Sequence, residues 1–136
     1  MRRSLQSYRK VSLDNEIGVA SPHRIIQMMF EGALQRIAQS RYAIENADIA
    51  NKGVNIGKAI GIISGLNSSL NMEEGGEMVN NVSDLYDFML RRLSEANISN
   101  DIKALDDVSE ILKTIKEGWD AIPAEDHHIV SHTEAV

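Results

Sequence analysis

Four stretches of this sequence repeat large apolar residues every three or four positions, and the breaks between them are only a few residues long. Segments with that spacing fold as helices that must each bury one face, and short links make consecutive helices antiparallel neighbours. The first stretch starts at Ser21-Pro22, a capping hydroxyl followed by the residue best suited to the first helical position. It runs to about Ala47 through Phe30, Ala33, Leu34, Ile37, Tyr42 and Ile44. A second, from about Asn51 to Leu70, places Ile56, Ile60, Ile63, Leu66 and Leu70 on one face, and the segment NMEEGGE ends it. A third runs from about Gly76 to Ala96 with Met78, Val82, Leu85, Tyr86, Met89, Leu93 and Ala96, and Asn97 to Asn100 supply a turn and cap. The fourth, Asp101 to about Ile122, has the cleanest stripe, Ile102, Leu105, Val108, Leu112, Ile115, Trp119 and Ile122, and Pro123 closes it. The spacing predicts an all-α, antiparallel up-down-up-down four-helix bundle over residues 21–122. An N-terminal arm (residues 1–20) packs on the bundle, and a polar, disordered tail (residues 123–136) follows it.

The first helix carries more apolar surface than one core uses. Ile25, Ile26, Met28, Met29 and Phe30 fall within six positions. At ~100° per residue they spread over roughly 200° of circumference, about twice the stripe that faces one core. The second helix has the opposite peculiarity, with Gly53, Gly57, Gly61 and Gly65 at every fourth position. Each glycine costs ~1 kcal/mol against alanine in a helix, so something should compensate. The favoured expectation is a smooth ridge against which a neighbouring helix packs closely; the other is a furrow left open for a partner.

Composition bears on what such a bundle does. The net charge of −6 is uneven: residues 1–72 hold nine Lys or Arg against five Asp or Glu, and residues 73–136 hold five against fifteen. Basic and acidic helices lying side by side within one fold are the first expectation, and an acidic face for a partner is the second. No basic stripe with interleaved aromatics suggests nucleic acid. There is no cysteine, hence no disulfide framework or thiolate metal site. No apolar run follows the arginines near the amino terminus, so no membrane insertion is expected and the chain reads as cytoplasmic. A di-iron core needs Glu-x-x-His on inward faces, and the spacing occurs only at Glu125–His128 in the tail. His127, His128 and His132 read as parts of a solvated tail, and His23 as a surface residue. No nucleophile with its base, and no glycine-rich phosphate loop, can be found. The reading is a non-enzyme without metal or cofactor.

The pieces SYRKV, SPHRIIQMMFEGAL, GLNSSLNMEEGGE, NVSDLYDFMLRRLSEAN and LKTIKEGW, in that order, resemble the flagellar secretion chaperone FliS family over roughly residues 5 to 120. The resemblance implies a bacterial cytosolic chaperone for flagellar type III export. Its client would be the carboxyl-terminal region of flagellin, which is disordered in the monomer and would otherwise polymerise too early. A bundle that is apolar inward and outward could hold such a client in surface grooves. The groove residues expected on that basis are Ile25, Met28, Met29, Ile62, Met78, Leu85, Tyr86 and Met89, methionine being suited to irregular partners. Leu5, Tyr8, Val11 and Ile17 of the arm would form a lid that competes with the client. By resemblance Tyr8 would also serve docking at the export gate protein FlhA; a homodimer is left open. Ile25, Ile26 and Met29 with Phe30 depart from the leucines and tyrosine usual there, which bears on which flagellin is preferred. The alternative from another class is a helical-bundle adaptor or dimerisation module for a folded partner.

Overall fold

A computed structural model describes residues 20–70 and 76–127. It contains four α-helices and one short 3-10 turn: α1 (Pro22–Glu45), α2 (Ile49–Ser68), α3 (Gly76–Ser99), α4 (Ile102–Asp120), and the turn Ala124–Asp126. At ~1.5 Å per residue the two 24-residue helices are about 36 Å long.

Side-chain caps set three of the helix starts. The Ser21 hydroxyl accepts from the Arg24 amide at 3.1 Å with Pro22 in the first turn, the Asp48 carboxylate accepts from Asn51 at 3.2 Å, and the Asp101 carboxylate from Ala104 at 3.2 Å. The third helix runs past Ala96, the expected end, because Asn97, Ile98 and Ser99 stay helical. Asn100 alone turns the chain, at φ 55°, a left-handed conformation that asparagine tolerates. Buried Lys52 secures that corner: its ammonium donates to the Asn97 carbonyl at 2.9 Å and to the Asn100 side-chain oxygen at 2.7 Å. The second helix starts at Ile49 rather than near Asn51, since Asp48 is its cap.

Each helix packs against two others, α1 on α2 and α4, and α3 on α2 and α4, so the four close into a square. Gln27 bonds Asp120 at 2.8 Å and Arg41 bonds Asp106 at 2.9 Å: fourteen residues forward on α1 is fourteen back on α4, the register of antiparallel neighbours. Arg41 and Asp106 also join the basic first half to the acidic second half.

The core is one cluster to which every helix contributes at spacings of three and four. It holds Ile26, Phe30, Ala33 and Ile37 of α1; Ile56, Ala59, Ile63 and Leu66 of α2; Tyr86, Met89, Leu93 and Ala96 of α3; and Ala104, Leu105, Val108, Leu112 and Trp119 of α4. Burial pushes the Tyr86 hydroxyl well above the usual tyrosine range. Tyr42, expected on the apolar stripe of the first helix, is exposed instead. It lies in the last turn of α1 on the outward side, while its neighbours Ala43 and Ile44 keep to the core.

The glycine ridge is corrected by the packing. A Cβ built at Gly53, Gly57 or Gly61 would meet nothing within 4 Å; only at Gly65 would one come close, 3.1 Å from the Met29 Cε. Three of the four glycines therefore face open space and let no other described helix approach.

Candidate functional site

With the core filled, the question is which large apolar side chains remain outside it. On α3 the core-facing stripe is Val82, Tyr86, Met89 and Leu93, and a second stripe lies beside it. At ~100° per residue, Leu85 and Phe88 sit some 60–120° around the helix from the middle of the core stripe. They are 39% and 38% exposed, against zero for Tyr86 and Met89. Across from them, α4 supplies Ile111 and Ile115, half-buried and packed on the core beneath. Leu85, Phe88, Ile111 and Ile115, with Thr114, line an open trough of about 490 Å³ between α3 and α4, and Asp107 and Glu110 complete it.

The acidic rim is partly neutralised. Asp107 accepts from Arg92 at 2.9 Å and from Lys103 at 3.0 Å, and those two cations hold its carboxyl below the usual carboxylate range, Lys103 first and Arg92 second. The Arg92–Asp107 pair also crosses from α3 to α4, so it fixes the width of the trough at one end.

The remaining expected groove residues are scattered. Met29 and Ile62 are half-buried in the seam between α1 and α2: Met29 lies over Gly65, and the Ile62 Cδ1 would be 3.5 Å from a Cβ at Gly32. Met28 is half-buried on α1, Ile25 is 46% exposed near its start, and Met78 is 76% exposed near the start of α3. In a closed square the α1–α2 and α3–α4 seams lie on opposite sides, so these residues do not make one groove. Tyr86 and Met89 are corrected outright, because both are wholly inside the core and offer no surface. The lid residues Leu5, Tyr8, Val11 and Ile17 lie outside the described residues.

Sequence reasoning missed Phe88, Ile111 and Ile115. The signal was available in the width criterion applied to the first helix: Leu85, Tyr86, Phe88 and Met89 span roughly 160° of α3, again more than one core stripe. His23 was also misplaced. Expected on the surface, it is 4% exposed, because Trp119 and His127 stack against it and the Trp119 indole donates to its carbonyl at 3.0 Å. The first residues of the expected disordered tail are likewise ordered, as the 3-10 turn that brings His127 there.

Among the described residues no three His, Cys, Asp or Glu side chains are grouped to hold a metal, and no helix is long and apolar enough to cross a membrane. A filled core of four packed helices with an apolar trough on its outside defines an all-α helical-bundle protein. A family model described as flagellar protein FliS matches residues 4–126. The chain is 47% identical over 131 residues to a Vibrio cholerae flagellar secretion chaperone FliS, covering 96% of each chain. It is 48% identical over 120 residues to flagellar secretion chaperone FliSB of Pseudomonas aeruginosa, covering 88% of this chain and 95% of the relative. To the flagellar secretion chaperone FliS of Salmonella typhimurium it is 41% identical over 119 residues, 87% of this chain and 88% of the relative. The chain belongs to the FliS family of flagellar secretion chaperones, and it is not an enzyme.

Proposed function

We propose that this chain is a cytosolic export chaperone that binds the disordered carboxyl-terminal region of flagellin, prevents its premature polymerisation, and delivers it to the export gate through FlhA. The observation that carries the reading is the apolar trough: Leu85 and Phe88 are left more than one-third exposed beside a core in which Tyr86 and Met89 have no exposed surface. Leu85 and Phe88 adjoin Ile111 and Ile115 and so form a contiguous apolar patch, in which an amphipathic client segment finds a place for its apolar face. The relatives' shared designation as flagellar secretion chaperones supports the same reading.

The division of apolar surface between opposite seams has a consequence for the client. A segment using both Met29–Ile62 and the α3–α4 trough must pass around the bundle, which suits a chain disordered until it binds. Such wrapping buries a large area while paying an ordering cost of about 2–5 kcal/mol, so binding is firm yet reversible. The arm, with Leu5, Tyr8, Val11 and Ile17, would compete for this surface when no client is present.

Titration calorimetry with a synthetic flagellin carboxyl-terminal peptide is the test. The peptide is expected to bind, and Phe88→Asp to weaken binding at least tenfold, equivalent to ~1.4 kcal/mol, with circular dichroism unchanged. Unchanged affinity in that variant would remove the trough from the mechanism. Failure of the parent chain to bind any unfolded flagellin peptide would favour an adaptor for a folded partner.

A further inference from the structure

Beyond the last helix, the chain is pinned by a stack of rings that the proposed client surface does not use. Pro123 leads into the turn Ala124–Asp126, which brings His127 face to face with His23, ring centroids 3.6 Å apart and planes 8° from parallel. His23 also stacks on Trp119 at 4.7 Å and 12°. The His127 Nε2 lies 2.9 Å from the Ile122 carbonyl, to which its N–H donates. The buried Nδ1 of His23 has no hydrogen-bond partner. An imidazolium at His23 would therefore hold an N–H at Nδ1 with no acceptor, buried against a second imidazole whose centroid is 3.6 Å away.

The charged groups around the pair do not offset this. From α4, Asp120 faces His23, but its carboxylate is already engaged by Lys116 at 2.6 Å and Gln27 at 2.8 Å. Arg24 of α1 adjoins His23 in sequence and is paired with Glu31 at 3.1 Å. The turn adds Glu125 and Asp126 just before His127.

We propose that the His23–His127 stack is a proton-operated latch. When neutral, it clamps residues 123–127 across the end of the bundle where α1 starts and α4 stops; when protonated, it releases that segment and bares the outer face of His23, whose other face lies on Trp119. The latch lies beside the entry to α1, whose cap Ser21 is two residues before His23. Burial first and the neighbouring His127 second hold the His23 pKa below its ordinary value of 6.5, with Asp120 opposing. The sign follows from that direction. The closed latch prefers neutral imidazole, so it is fully stable above pH 6.5 and weakens as the pH falls through and below that value.

The full chain has a single tryptophan, Trp119, which makes its emission a local reporter. Between pH 8 and 5, the ring protons of His23 are expected to titrate in NMR spectra with a midpoint below 6.5. Trp119 emission should change over the same range, as the imidazole stacked on its indole gains a charge, while helicity stays constant. His127→Ala, which removes cover and a neighbouring charge from His23, should move that midpoint up toward 6.5, and His127→Phe, which keeps a ring but no proton site, should hold the native emission to lower pH than the His127→Ala variant. The proposal is overturned by flat Trp119 emission across the His23 titration, by a midpoint in His127→Ala equal to the parent's, or by a loss of helicity that accompanies the change in emission.

Discussion

Replacing Gly57 and Gly61 together by alanine separates stability from function more cleanly than any core substitution. Both positions lie inside α2, and a Cβ at either meets nothing within 4 Å, so the added methyl groups disturb no packing in the described structure. Alanine is favoured over glycine in a helix interior by ~0.8–1.0 kcal/mol, because glycine has more backbone freedom to lose on folding. The pair should thus gain roughly 1.6–2 kcal/mol. At ~3–5 °C per kcal/mol for a chain of this size, the melting temperature should rise by about 5–10 °C. Circular dichroism melts and urea titrations at constant protein concentration give both numbers. A lower melting temperature would show that the face is occupied in the folded chain and refute the reasoning from open space. If the bare face of α2 receives the client backbone, the same variant should bind the flagellin peptide more weakly despite being more stable. Gain of stability with unchanged affinity would leave the glycines without a role in binding.

Three further outcomes are expected. Met89→Ala should lose about 2–5 kcal/mol in urea titrations, since it empties a fully buried site; a loss below ~1 kcal/mol would place Met89 outside the core after all. Ala47 turns the chain between α1 and α2 at φ 55°, so Ala47→Gly should gain ~1 kcal/mol of stability, and a loss in the same titration would show that the alanine methyl is needed. Above pH 10 the unfolded chain ionises its Tyr86 hydroxyl while the folded chain, with that pKa raised by burial, does not. Stability should therefore fall as the pH rises past 10, and Tyr86→Phe should flatten that fall; an unchanged slope would mean that Tyr86 is not the group responsible.

The bundle was legible from spacing alone because helix periodicity and capping are local properties. Ser21, Asp101 and the stripe Leu105, Val108, Leu112 and Trp119 identify their helices without knowledge of any neighbour. Width of apolar surface was legible too, and for α1 it pointed to surplus: Ile26 and Phe30 are buried while Ile25 stays exposed. Assigning individual residues at the margins of a stripe was not possible. Leu85 and Tyr86 are adjacent in sequence, yet one lines the trough and the other lies in the core, and this depends on where α4 crosses α3.

What the sequence by itself determined is therefore the number of helices, the Ser21 cap, the inward faces and the excess of apolar residues, all of which follow from patterns a few residues long. Tertiary structure alone decided where that excess ends up, on opposite seams rather than in one groove, and that the glycines of α2 face open space. It also decided that His23 is buried, by a tryptophan 96 positions away and by a histidine from beyond the last helix. Burial at such places is conferred by side chains distant in sequence, and no local periodicity carries that information.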